Sequence, residues 1–304
     1  MSNKHASLNA LFTDIADAIR EKTGDTASII ADDFPDVIRE RLQVAPPKPY
    51  LTFKSPNSFT LAVGDATKHW DGTLEYSTDE TTWSTWDGTT TLSSSTSGSK
   101  DVLYLRGTGN TVIAGDNQNY RWVLTGSNIA CAGNIENLLD YTTVKAGQHP
   151  AMAALCFCGM FDGCTSLTQA PALPATTLAA GCYAVMFNGC TSLTQAPALP
   201  ATTLEISCYL QMFNGCTSLT QAPALPATTL ASNCYYFMFS GCTSLKLSST
   251  KTGEYTQEYR IPTTGTGTTA SDALTNMFTV TGGTFTGTPE INTTYYLSNT
   301  NTVV

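Results

Sequence analysis

The residues able to do chemistry fall into two groups. The first is a set of carboxylates, Asp71, Glu75, Asp79, Glu80 and Asp87, scattered among short β-prone runs. Two carboxylates held about 5–10 Å apart would serve glycan hydrolysis, so a hydrolase within residues 50–128 is one reading. The plainer reading, which we favour, is that these are solvated turn residues. The second group is the 10 cysteines. Eight of them form two columns, Cys156, Cys182, Cys208, Cys234 and Cys164, Cys190, Cys216, Cys242. Cys156-x-Cys158 lacks the usual zinc-ligand gap and has no His partner. Stacked equivalent residues lie within about 5 Å, and free Cys is among the most buried residue types, so buried thiols are expected. Cross-coil disulfides are the alternative that the spacing allows. No catalytic residue, metal ligand or cofactor is expected.

The columns exist because the chain repeats. CTSLTQAPALPATTL begins at Cys164, Cys190 and Cys216 without a change, and a fourth copy starts at Cys242 as CTSL and then degenerates. Met160, Met186, Met212 and Met238 keep the same 26-residue step. A fixed period of about 20–50 residues marks an architecture whose units bury apolar positions by stacking on their neighbours. Within Cys190–Gly215, the inward positions should be Leu193, Leu199, Leu204, Cys208, Met212 and Phe213. Pro197 and Pro200 lack a ladder donor, so a strand of two or three residues near Leu193–Gln195 and one helical turn near Cys208–Phe213 are expected.

Charge narrows the function. The net charge of −9 argues against duplex nucleic acid as a partner, which requires a basic stripe. Asp162, Glu205 and Lys246 are the only charged residues between Ala151 and Thr250, leaving no cluster for acid–base or metal chemistry. No run of 18 apolar residues exists for membrane insertion. The first residues, MSNKHASLNALFTDIADAIREK, lack the apolar core of a signal peptide, so synthesis in the cytosol is expected.

The elements that would position these residues form a multidomain chain. Residues 1–44 read as a helical attachment or oligomerisation module, with Leu8, Leu11, Ile15 and Ile19 as one stripe. Residues 45–49 are a Pro-rich linker. Residues 50–128 alternate β-prone runs with Gly, Asp and Asn turns, as in a small all-β sandwich. Residues 129–155, with a short helix, lead into the repeats of 156–250. A degenerate repeat and β-rich cap follow over 251–304, with Met277-Phe278 at the Met-Phe position.

Two resemblances add to this reading. MFNGCTSLTQAPALP is similar to the BspA-like class of leucine-rich repeats, which implies a solenoid over 156–250 and surface adhesion, although 26 residues exceed that family's usual coil. The segment LFTDIADAIREKTGDTASIIADDFPDVIRE resembles a module at the start of phage and prophage structural proteins. It implies a virion component, attached through residues 1–44 to other structural proteins and forming a homo-oligomer.

The expected function is therefore non-enzymatic. We expect a phage tail or baseplate-associated protein, located in the virion, whose repeats bind a bacterial surface glycan or protein or a mucosal surface. A BspA-like adhesin on the bacterial surface is the alternative. Candidate contact residues are those that differ between otherwise identical repeats: Glu205, Leu210, Gln211, Asn233, Tyr236 and Phe237. Trp86 joins them. Trp83 and Trp86 have opposite parity in any shared strand, and Trp86, beside a turn at Asp87, is the one expected to face outward.

Overall fold

The computed structural model describes residues 48–115, 120–261 and 272–304. The expected helical module over 1–44 lies outside the described residues. Pro49–Val304 forms one compact unit, with a main apolar core running from Leu51 to Leu297 and a smaller cluster of Tyr50, Val102 and Tyr104.

The first part of that unit is β-rich. Strands β1 (Leu51–Ser55), β3 (Thr73–Ser77), β4 (Ser84–Trp86), β6 (Ser95–Ser97), β7 (Lys100–Thr108), β9 (Ile129–Ala132) and β10 (Leu167–Gln169) make a seven-stranded sheet. Strands β2 (Thr60–Val63), β5 (Leu92–Ser93) and β8 (Trp122–Thr125) make a three-stranded one. Alternation sets the inner face of the smaller sheet: Trp122 and Leu124 point in while Val123 and Thr125 point out. Its Trp122 meets Phe53 of the larger sheet at 6.4 Å between ring centroids and Trp86 at 5.6 Å. Helix α1 (Asn137–Lys145) packs on β7, where Gly107 leaves room for the Leu138 carbonyl. The helix is interrupted at Asp140 (φ −154°, ψ 101°). The Asp140 carboxylate restarts it by accepting the Thr142 and Thr143 amides at 3.0 and 2.9 Å.

The repeats stack directly on this β unit. The amides of Ile113 and Trp122 donate to Cys156 O at 2.8 Å and Met160 O at 2.7 Å, doing for the first repeat what each repeat does for the next. Within a repeat, amides alternate between two jobs. Tyr183, Val185 and Phe187 donate to Cys208, Leu210 and Met212 carbonyls of the next repeat at 3.1, 2.7 and 2.9 Å. Ala184, Met186 and Asn188 donate three residues back, to Gly181, Tyr183 and Val185. Every fourth residue is left-handed: Gly181, Val185, Gly189; Ser207, Gln211, Gly215; Asn233, Phe237, Gly241, all with φ between 51° and 75°. A left-handed residue every four positions ends each turn before a helix can propagate. The helical turn expected near Cys208–Phe213 is thus a chain of tight turns. This four-residue period places two residues in and two out, so Cys208-Tyr209 and Met212-Phe213 are buried while Leu210-Gln211 and Asn214-Gly215 are not.

The inward rings form two files. Phe161, Phe187, Phe213, Phe239 and Phe278 stack at 5.6–5.8 Å with planes within 8°. Phe157, Tyr183, Tyr209 and Tyr235 stack at 5.8–6.1 Å. Phe278 continues the first file across the 251–304 segment. There, β13 (Tyr255–Arg260), β15 (Thr294–Ser298), β12 (Lys246–Ser248) and β14 (Gly282–Gly283) form a four-stranded sheet. Strand β16 (Thr302–Val303) runs parallel to β11 (Gln221–Ala222).

The expected leucine-rich-repeat-type solenoid is corrected by this arrangement. The described residues are mostly sheet and turn, with several small sheets, one short helix and no continuous sheet through the repeats. Beyond β10 to β12, the repeats show only isolated bridges such as Gln195–Gln221 and Thr203–Thr229. Two prolines in every TQAPALP remove the donors a regular strand needs, and the turn chain carries the stacking instead.

Candidate functional site

Two surface features could bind a partner: the outward ridge of the turn chain and a cleft between repeats. On the ridge, Leu210, Gln211, Tyr236 and Phe237 come together. Gln211 N–H donates to Tyr236 O at 2.8 Å, and the Tyr236 and Phe237 rings meet edge to face at 4.6 Å. All four side chains are half-buried, enough to be fixed in place and still accessible. Glu205 is exposed on the neighbouring turn and Asn233 is half-buried at a left-handed position, which Asn tolerates better than most residues. Beside them Ile206 is 56% exposed, an apolar side chain that belongs to the same surface.

Trp86 is not part of it. Its ring is 1% exposed, packed between Trp70 and Trp122, with the indole N–H donating to Thr90 O at 2.8 Å. The expectation of an outward Trp86 is corrected, because β4 turns Trp86 into the core. Trp83, just before that strand, is the partly exposed ring, held at 5.4 Å from Tyr50 with the Arg106 guanidinium 4.0 Å above it.

Electrostatics around the ridge are weak. Asp162 is occupied by Asn188 Nδ2 at 2.7 Å and Arg121 at 3.8 Å. The inward thiols are held protonated: burial raises Cys164, Cys182 and Cys216 to about 12 and Cys234 to about 11. Cys190, Cys216 and Cys242 donate to the carbonyls of Phe161, Phe187 and Phe213 at 3.0–3.2 Å, tying one repeat to another. Asp71, Glu75, Asp79, Glu80 and Asp87 are each engaged by neighbouring groups of the β unit. Asp71 accepts the Thr111 and Val112 amides, Asp79 those of Thr81 and Thr82, and Asp87 that of Thr89. Glu75 pairs with Arg106 at 2.8 Å, and Glu80 accepts the Tyr50 hydroxyl at 2.6 Å.

The cleft, of about 650 Å³, lies between Thr168–Pro174 and Thr194–Pro200. Its lining is Thr, Gln, Ala, Gly, Leu and Pro with Val304 at one side, and carries no charged side chain among the described residues. A smaller cavity of about 280 Å³ holds Glu136, 1% exposed, with His149 Nδ1 at 2.8 Å from its carboxylate. Sequence reasoning missed the cleft, and nothing in three identical segments signals it. It also missed the Phe157-to-Tyr235 ring file, which Cys-Phe or Cys-Tyr in phase would have revealed. The ridge offers neutral hydrogen-bonding groups and aromatic faces. Compared with known proteins, the chain matches no family model, no curated protein and no solved structure.

Proposed function

We infer that this protein is a non-enzymatic binding protein whose repeat ridge contacts a bacterial surface glycan or neutral protein patch. The observation that carries this reading is where the repeats differ. Fifteen positions are identical in three copies, and much of the change falls on the half-buried turn residues 185, 210–211 and 236–237, with buried Ala184 beside the first, over an interior that keeps its ring files. Aromatic faces at Tyr236 and Phe237, with Gln211 beside them, suit stacking and hydrogen bonding to a sugar. The likeness of residues 11–40 to phage structural modules supports a place in a virion tail or baseplate, where many copies would raise weak single-site affinity.

The test is binding of the full chain to a panel of bacterial cells and neutral glycans across a salt series, with product analysis of any glycan bound. Binding should vary little with salt, because few charges are present to be screened. Cleaved product would overturn the non-enzymatic reading. A steep loss with salt would move the contact away from the ridge.

A further inference from the structure

Thr-Gln-Ala-Pro-Ala-Leu-Pro occurs at 168–174, 194–200 and 220–226, yet the three copies are paired differently. Between the second and third copies the backbone closes. Ala196 N–H donates to Gln221 O at 3.0 Å, and the Thr220 and Gln221 amides donate to Thr194 O at 2.9 and 3.2 Å. An extended segment lies on the other edge of the third copy. Thr302 and Val304 amides donate to Thr220 and Ala222 carbonyls at 3.2 and 2.9 Å, and Ala224 N–H donates back to Val304 O at 2.9 Å. Between the first and second copies, no backbone hydrogen bond joins 167–178 to 193–204 among the described residues. The first copy is held by the β unit instead, through Ala172 N–H to Gly133 O at 2.9 Å and Ile135 N–H to Ala172 O at 3.0 Å. That unmade rung is the cleft of about 650 Å³.

The two walls carry the same residues as the pair of copies that closes, so the segment itself does not forbid pairing. Each wall is paired away from the cleft, the first copy to the β unit and the second to the third copy, and no backbone bond crosses the cleft between them among the described residues. Unpaired strand edges are templates for added strands. The third copy shows that TQAPALP accepts a short parallel segment despite its prolines. The described lining residues include no charged side chain, which disfavours Lys, Arg, Asp or Glu in an occupant, since a charge buried without a partner is costly. We propose that this cleft binds an extended, uncharged peptide segment of a partner protein by main-chain pairing. The site is distinct from the ridge, and its occupancy does not depend on the ridge reading.

The probe is a fluorescently labelled, end-blocked TQAPALP peptide, titrated into the full chain. Three results are expected together. The peptide binds saturably with a Kd below about 1 mM. A version N-methylated at alternate non-proline residues, which lacks the donors, binds at least tenfold more weakly. Ala198→Trp, which fills the cleft from an exposed position, weakens binding at least tenfold, while Ala224→Trp at the equivalent place in the third repeat does not. Should Ala198→Trp fail to fold, the N-methylated peptide decides alone. Absence of saturable binding, or equal binding of the N-methylated peptide, overturns the proposal. Displacement of the peptide by maltoheptaose would make the cleft a glycan site. Dispersal by the peptide of a chain dimer would make a second copy the occupant. Either result also refutes a partner peptide.

Discussion

Truncating the central ring of the Phe file should unfold the repeats from the middle. Phe213 is fully buried, stacked at 5.8 Å on Phe187 and 5.7 Å on Phe239 with interplanar angles of 4° and 8°. Phe213→Ala removes a buried aromatic with a ring on either side, a change that costs about 3–5 kcal/mol. For a unit of this size each kcal/mol moves the melting temperature by about 2–4 °C, giving a fall of roughly 6–20 °C. The ring contacts themselves can be isolated by a double-mutant cycle. Phe187→Ala with Phe213→Ala should show coupling of about 0.5–1.5 kcal/mol. Phe161→Ala with Phe213→Ala, whose rings are separated by Phe187, should be additive within about 0.5 kcal/mol. Thermal and urea unfolding followed by circular dichroism reads both. A Phe213→Ala melting temperature within about 2 °C of wild type, or equal coupling in the two cycles, would refute the stacked interior.

Four further outcomes follow from the same geometry. Tyr183 carries a buried hydroxyl with no hydrogen-bond partner, and Phe157 occupies its place in the first repeat, so Tyr183→Phe should stabilise by about 1 kcal/mol in urea unfolding. Val185 is a β-branched residue at φ 59°, where Gly159 stands one repeat earlier. Val185→Gly should therefore stabilise by about 0.5–1 kcal/mol and Gly215→Ala, at φ 72°, destabilise by about 1–2 kcal/mol; equal signs in calorimetry would contradict the turn chain. Burial raises the thiol pKa values to about 11–12 at Cys164, Cys182, Cys216 and Cys234, so the folded state keeps protons that the unfolded chain releases above about pH 8.5. Stability from these thiols is complete below that pH and falls as pH rises toward 12, by about 1.4 kcal/mol per thiol per pH unit; a urea midpoint unchanged from pH 8 to 10 would argue against buried thiols. Denatured protein should titrate close to ten thiols, and a Cys182–Cys208 bridge found by mass spectrometry would contradict free cysteines.

The sequence made the interior legible and the backbone much less so. The 26-residue period points Leu193, Leu199, Leu204, Cys208, Met212 and Phe213 inward, and all are buried. Met277-Phe278 falls in phase with the Met-Phe positions, and Phe278 stacks on Phe239. Periodicity reports which residues are apolar in phase; it does not report φ. The left-handed Val185, Gln211 and Phe237 carry no glycine to betray them, so a chain of turns looked like a helical turn, and the expected leucine-rich solenoid gave way to small sheets. Trp86 shows the same limit in the β unit. Parity predicts that Trp83 and Trp86 face opposite ways, but which one faces in depends on which face of the sheet meets Trp122 of the other sheet, a long-range fact. The cleft was invisible in principle, since its two walls are identical in sequence to segments that pair.

The most direct test of the ridge is to charge it without touching the core. Leu210→Arg with Tyr236→Arg places two like charges on neighbouring turns of the outward face, and Ser99→Arg, at an exposed position of the β6–β7 turn in the β unit, is the control. Binding isotherms of the three full-length proteins on whatever bacterial cell or glycan the wild type binds are compared after matching their melting temperatures. The ridge reading requires the double variant to lose at least tenfold in affinity while the control binds as wild type does. Equal binding by all three would contradict it and place the contact surface elsewhere on the molecule.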